Sequence, residues 1–239
     1  MSDKISVVMP CFLMTDRHIE LTKAAIASLG DVELIIVDDN SAIGGGYLRS
    51  VADTYVKNKD NKGYASSVNK GLMLATSDYV AISNNDIRIS PNWQEVMKEV
   101  FTFEEDIYSC HFRMTDYDTP FEYGNKILTT GKERWCHASF FAINRKLATL
   151  YYDEHYFNTY DDWDLFTLVR RMGFKQAYTD KAQFQHIHSA TIPTMPKQTE
   201  RNLENKGYYK DKWGGYAEDL FAEEFPEQML INYPDGFTL

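Results

Sequence analysis

Short β-rich apolar runs that stop abruptly at carboxylates or amides constrain the fold of this chain most. Glu33 to Ser41 reads ELIIVDDNS, and Asp78 to Ser90 reads DYVAISNNDIRIS. An open α/β sheet presents its ligand-binding residues at the carboxyl ends of its strands, so these run ends mark a candidate site as well as a fold class. A third acidic group, Tyr160 to Leu165 (YDDWDL), opens an amphipathic helix instead.

Strand and helix patterns alternate through roughly the first hundred residues. Ile5 to Met9 is a strand closed by Pro10, followed by a helix with Leu21, Ala25 and Leu29 inward that stops at Gly30. Leu34 to Val37 is the next strand. Tyr47, Val51 and Tyr55 then fall at i, i+4 and i+8 of a helix, with Val56 a short strand after it. Val68, Leu72 and Ala75 mark a third helix and Tyr79 to Ile82 another strand. Trp93, Val96, Met97, Val100 and Phe101 form a helical stripe with Pro91 at its start. This alternation predicts an α/β fold with a mainly parallel central sheet, right-handed crossovers and flanking helices. The middle is less regular. Ile107 to Met114 and His137 to Ile143 read as strands around a polar stretch, Asp116 to Gly131. A helix over Asp162 to Met172, capped by Gly173, precedes a strand from Phe174 to Thr179 that leads to His186. Gly44-Gly45-Gly46 lacks the spacing of a phosphate-binding loop and reads as a flexible connection.

Length and composition bound the rest. The 239 residues suit one large α/β domain, residues 1–192, with a helical C-terminal extension over 193–239. That extension carries apolar residues from Leu220 to Ile231 that would dock on the domain or, in a homo-oligomer, on a partner subunit. No apolar run approaches the ~20 residues of a membrane span, and the N-terminus lacks a signal-peptide stretch, so a cytoplasmic protein is expected. Cys11, Cys110 and Cys136 form no C-x-x-C pair, which indicates free thiols rather than a disulfide framework or zinc site. A net charge of −10 argues against broad, non-specific capture of DNA, although it leaves room for a local basic groove.

The order of Ser6 to Phe12, Asp38-Asp39-Asn40-Ser41, Asn61-Lys62-Gly63-Tyr64 through Asn69-Lys70-Gly71, Asn84-Asn85-Asp86, Asp161-Asp162-Trp163-Asp164-Leu165, His186 and Lys212-Trp213-Gly214 resembles family 2 glycosyltransferases of the GT-A fold. The resemblance covers nearly the whole chain. It implies transfer of a sugar from a nucleoside-diphosphate donor to an acceptor hydroxyl, with inversion and with Mn2+ or Mg2+. The implied acceptor is a saccharide or glycoconjugate. The alternatives are a hydroxylated DNA base, the one way nucleic acid enters, and a non-catalytic member that only binds nucleotide-sugar or glycan.

Within that resemblance each group has a role that its chemistry allows. Pro10, Cys11, Asp38, Asp39, Asn61, Gly63, Asn69, Asn84 and Asn85 fall on the donor side. Carboxylates at a strand end can accept hydrogen bonds from ribose or base, while Asp39 can equally cap the turn that follows it. Asn61-Lys62-Gly63 leads into a helix N-terminus, where backbone N–H groups are open to ligand oxygens. Asn84-Asn85-Asp86 stands where the family carries its metal-binding D-x-D, with Asn84 in place of the first acid. Asp86 is then the strong anionic ligand, joined by His186 or by His188 two positions on. Asp162 matches the family's catalytic carboxylate and is the expected general base, with Asp161 in place of the more usual glutamate. Asp161, Trp163 and Asp164 are expected to meet the acceptor, although Trp163 suits core packing equally well. Lys210, Lys212 and Trp213 resemble a closing element over the donor; a solvated helix explains them as readily.

Overall fold

The computed structural model describes residues 4–129, 138–187, 198–217 and 219–220, the side chains of 198 and 199 aside. One nine-stranded sheet runs through them. Its strands are β1 (Ser6–Cys11), β2 (Glu33–Asp38), β3 (Thr54–Lys57), β4 (Tyr79–Ser83), β5 (Ile87–Ile89), β6 (Ile107–Asp116), β7 (Ile127–Thr129), β8 (Phe140–Asn144) and β9 (Lys175–His186). The helices are α1 (Asp16–Leu29), α2 (Gly45–Val51), α3 (Tyr64–Leu74), α4 (Trp93–Phe103), α5 (Asp161–Arg171) and α6 (Gln198–Trp213).

Strand order is β3-β2-β1-β4-β8-β6-β9-β5, with β7 also on β9. The half β3-β2-β1-β4 is parallel, as the alternation predicts. Beyond β4 the sheet is mixed: β8 runs antiparallel to β4 and β6, β6 and β9 pair in parallel, and β5 and β7 lie antiparallel on β9. The polar stretch after β6 therefore contributes a strand, β7. The chain winds outward from β1 to β3 and then returns to β1's other side with β4. The carboxyl ends of β1 and β4 thus flank the crevice where such sheets bind ligands.

Side chains on the two faces separate by the two-residue period of a strand. Val7, Met9 and Cys11 of β1 join a core with Ala25, Leu29, Trp93 and Met97 from α1 and α4. Val8 faces the opposite way, into a core with Val68 and Leu72 of α3 and with Leu165, Phe166 and Val169 of α5. Covered on both faces, β2 is buried over five of its six residues, which is why it reads as a continuous apolar run.

Two local readings change. The helix expected to extend to Tyr55 stops at Val51, because Asp53 takes over: its carboxylate accepts from the Leu34 N–H at 2.8 Å and its own N–H donates to Leu34 O at 2.9 Å, pulling Thr54–Lys57 onto β2 as a strand. The glycine triplet is ordered structure: Gly44 takes a left-handed conformation (φ 77°) at the N-cap, and Gly45 and Gly46 form the first turn of α2.

Gly71 is fixed by packing. A Cβ there would lie 2.3 Å from Val8 Cγ1, so α3 approaches β1 at a distance only glycine permits. Gly71→Ala is expected to lower stability by about 1–3 kcal/mol, the usual cost of overpacking a close-packed core. Chemical denaturation would check this; an unchanged or raised midpoint would show that the helix propensity of alanine outweighs the clash.

Candidate active site

Cys11 and Asp38 are register partners at the carboxyl ends of β1 and β2, and Asp39 N–H donates to Cys11 O at 2.7 Å. Both carboxylates are buried and engaged within the protein. Asp38 accepts from Ser41 N–H at 2.7 Å and from the Tyr55 hydroxyl at 2.6 Å, with Lys57 Nζ 3.6 Å away. Asp39 accepts from Asn58 Nδ2 and Lys62 N–H at 2.8 Å each, and from Gly63 N–H at 2.9 Å. It therefore reaches across to the Asn61–Gly63 turn rather than capping the turn beside it. Burial pushes the Cys11 thiol well above its usual range, with the nearby Asp38 charge adding to the effect.

The turn also has a tight fit. Asn61 Oδ1 accepts from Gly63 N–H at 3.0 Å, and Gly63 (φ 85°) lies against Phe157 and Asn158. Asn158 Oδ1 accepts from Tyr64 N–H at 2.7 Å and so occupies one of the free N–H groups at the start of α3. Asn69, expected on the donor side, is 3% exposed and clamps the segment before α5: it bonds Tyr152 N–H and O at 2.8 and 2.9 Å, and Glu154 Oε1 at 3.0 Å.

After β4, the three residues of the relaxed acidic motif point to different places. Asn84 N–H donates to Ser139 O at 2.8 Å, and Asn85 Nδ2 donates to Thr22 Oγ1 on α1 at 2.9 Å. Asp86 is buried, with Oδ1 3.2 Å from His186 Nε2. Apart from that contact, whose geometry is not that of a hydrogen bond, the buried oxygen has no polar partner, an arrangement that costs free energy unless something else meets the charge. Pairing of β5 with β9 brings the two residues together, since His186 is the register partner of Ile87. A buried carboxylate oxygen that makes no hydrogen bond, beside an imidazole nitrogen, fits a hard divalent cation that takes its remaining ligands from phosphate and water. No cluster of three His, Cys, Asp or Glu suited to a metal occurs among the described residues, and His188 lies outside them.

At the start of α5, Asp161 is buried and Asp162 half-buried, with Asp162 Oδ1 accepting from Trp163 N–H at 2.8 Å. Burial holds both carboxyls above the usual range, and the charge of Asp162 pushes Asp161 further in the same direction. Burial raises the Tyr64 phenol, and the charges of Asp161, Asp162 and Asp86 push it in the same direction. Trp163 packs with Tyr160, Tyr208 and Trp213 around the buried Tyr156 and Tyr209. Asp164 is 2% exposed and faces inward, onto Tyr156, Lys212 and Trp213 of the neighbouring segments. Asn158 carries no sequence signal: its bond to Tyr64 N–H joins residues 94 positions apart.

These features match a known family. The model of glycosyl transferase family 2 fits residues 6–177, which is most of the chain. The chain belongs to glycosyl transferase family 2. It is 19% identical over 235 residues to the uncharacterized glycosyltransferase YibD of Escherichia coli (strain K12), covering 87% of this chain and 68% of that one. Among solved structures it resembles S. aureus TarS 1–349 in complex with UDP-GlcNAc (TM-score 0.61, 14% identity, 95% of this chain and 68% of that one). It also resembles the mannosyltransferase PcManGT of Pyrobaculum calidifontis in complex with GDP-Man and Mn2+ (TM-score 0.62, 14% identity, 86% of this chain). The chain spans 64% of that mannosyltransferase, and 40% of the longer TarS structure. The fold is therefore GT-A, and the protein is a glycosyltransferase. No helix among the described residues is long and apolar enough to cross a membrane.

Proposed function

We propose that this family 2 enzyme is an inverting, divalent-metal-dependent hexosyl- or pentosyltransferase that moves sugar from a nucleoside diphosphate to a hydroxyl of a saccharide or glycoconjugate. The observation that carries the reading is the buried oxygen of Asp86, which makes no hydrogen bond and lies 3.2 Å from His186 Nε2 at a strand end. The TarS complex with UDP-GlcNAc and the PcManGT complex with GDP-Man and Mn2+ support the choice of donor and metal class.

In this reading Asp86 and His186, with His188 from outside the described residues, would hold Mn2+ or Mg2+. Bound there, a divalent cation would supply charge stabilisation to the departing diphosphate. Asp162 accepts the proton of the attacking hydroxyl as the new glycosidic bond forms and the bond to the diphosphate breaks. Its half-buried position leaves it open to an acceptor, and a raised carboxyl pKa makes it a stronger base than an exposed aspartate. Pro10, Cys11 and Asp38 mark the nucleoside end of the crevice; the inward bonds of Asp38, Asp39 and Asn69 suit positioning of that wall as well as direct contact. Trp163 and Asp161 sit on the acceptor side. Residues 1–192 form the catalytic domain in this scheme, and 193–239 an extension of which α6 docks on it; the apolar end of that extension lies outside the described residues. Buried free thiols at Cys11 and Cys110 suit a reducing cytoplasm.

A thermal-shift panel of nucleoside diphosphates, with and without Mn2+, tests the reading because a ligand that binds only the folded state raises its melting temperature. At least one should stabilise the protein more with the metal than without it, and its sugar donor should then give a product of inverted anomeric configuration by NMR. No shift with any nucleoside diphosphate would overturn the donor class; retained configuration would overturn inversion.

A further inference from the structure

We propose that Lys212 is a positioning residue for sugar transfer, fixing the acidic first turn of α5 by bridging Asp164 and Asp153 from α6. The proposal rests on the reading of that turn as the acceptor-activating group. Lys212 Nζ lies 2.8 Å from Asp153 Oδ2, and 2.8 and 3.0 Å from Oδ1 and Oδ2 of Asp164. Asp164 Oδ1 also accepts from Trp213 Nε1 at 2.7 Å and from the Tyr156 hydroxyl at 3.2 Å. The Tyr208 hydroxyl donates to Asp153 Oδ2 at 2.9 Å. Lys212 is the cation paired with these two carboxylates among the described residues, and its bonds to them leave it directed at the protein rather than at a donor.

The turn gains from such support because its N-cap residue supplies no side-chain cap. Tyr160, at the N-cap of α5, is in the left-handed region (φ 64°), where a residue with a Cβ is strained. α6 holds both sides of it. Asn205 Nδ2 donates to Thr159 O and Oγ1 at 2.9 and 2.8 Å, and the hydroxyls of Thr167 and Tyr209 are 2.5 Å apart. Asp161, Asp162 and Asp164 crowd three carboxylates into one helical turn, and the charge of Asp164 acts on Asp161. Neutralising Asp164 with Lys212 leaves the first pair to titrate without the full repulsion of the third.

The groups that face this cluster are Asp153, Asp164, Tyr156, Tyr208 and Trp213 around the ammonium, with His155 stacked on Tyr208; Asp161 and Asp162 share the turn with Asp164, and their charges act on Tyr64 and Tyr152. Replacing Lys212 by methionine removes the bridge together with the ammonium's contacts with the Tyr156, Tyr208 and Trp213 rings, and leaves the other groups in place.

The test compares Lys212→Met and Lys212→Arg in the full chain by measuring kcat and donor KM across about pH 5 to 9. Lys212→Met should lower kcat by about 10-fold or more, move the acid limb of the profile to higher pH, and leave donor KM within a few-fold. Lys212→Arg should restore the limb. Trp213→Phe, which removes one hydrogen bond to Asp164 but keeps the cation, should lower kcat less and covers the case in which Lys212→Met does not fold. A loss equal at every pH with an unmoved limb, or a rise mainly in donor KM, would overturn the proposal; the second result would put Lys212 on the donor phosphates. If Asp162→Asn keeps its activity while Lys212→Met still shifts the limb, the base assignment fails and the positioning role stands.

Discussion

Asp162→Asn is expected to lower sugar transfer by about 10²-fold or more while changing donor binding little, because the amide keeps the size and the hydrogen bond to Trp163 N–H but cannot take a proton. The pH dependence follows from the raised carboxyl. Burial favours the protonated form of Asp162, so the parent's kcat/KM should climb as pH rises through the raised value and level off above it. The variant should lose that limb. Stability has the opposite sign. A carboxyl whose folded pKa lies above its unfolded one costs nothing below the unfolded value, and its full penalty is present above the folded value. Asp162→Asn should therefore melt no lower than the parent near neutral pH. Transfer within a few-fold of the parent would move the base to Asp161, the neighbour that burial and the Asp162 charge hold still further toward the protonated form.

The second large effect concerns the metal. Asp86→Ala should abolish the Mn2+-dependent part of stabilisation by a nucleoside diphosphate, that is, the excess over the metal-free shift within a total of about 2.7 kcal/mol at a ligand concentration of 100 times Kd. Without metal the variant should be as stable as the parent or more so. The buried Oδ1 makes no hydrogen bond and loses only its 3.2 Å contact with His186 Nε2, and the backbone contact from Ile187 N–H to Asp86 O at 3.2 Å does not involve the side chain. Equal Mn2+-dependent shifts in the two proteins, measured by thermal denaturation, would remove Asp86 from the metal site. A variant destabilised without metal would instead show that the carboxylate and His186 hold β5 against β9 as an ion pair.

The sequence by itself determined the α/β class, the parallel half of the sheet and the ends of β1, β2 and β4 as the place to look. Hydrophobic periodicity is a local property, so buried strands such as Glu33–Asp38 and the stripe of α4 are written in consecutive residues. The family resemblance is legible for the same reason: its motifs sit in order along the chain, and the family match over residues 6–177 agrees with it. The antiparallel insertion of β8 between β4 and β6 was not legible, because pairing partners far apart in sequence leave no local pattern. Nor were the inward commitments of Asp38, Asp39, Asn69 and Asp164. Each is a polar residue at a motif position whose partner lies 17 or more residues away, as with Tyr55 for Asp38, Gly63 for Asp39, Tyr152 for Asn69 and Trp213 for Asp164. Residue type shows that a carboxylate or amide can bind a ligand. Only tertiary structure decides whether its hydrogen-bonding capacity is already taken by the protein, and here that distinction separates the unpartnered oxygen of Asp86 from the fully engaged carboxylate of Asp164.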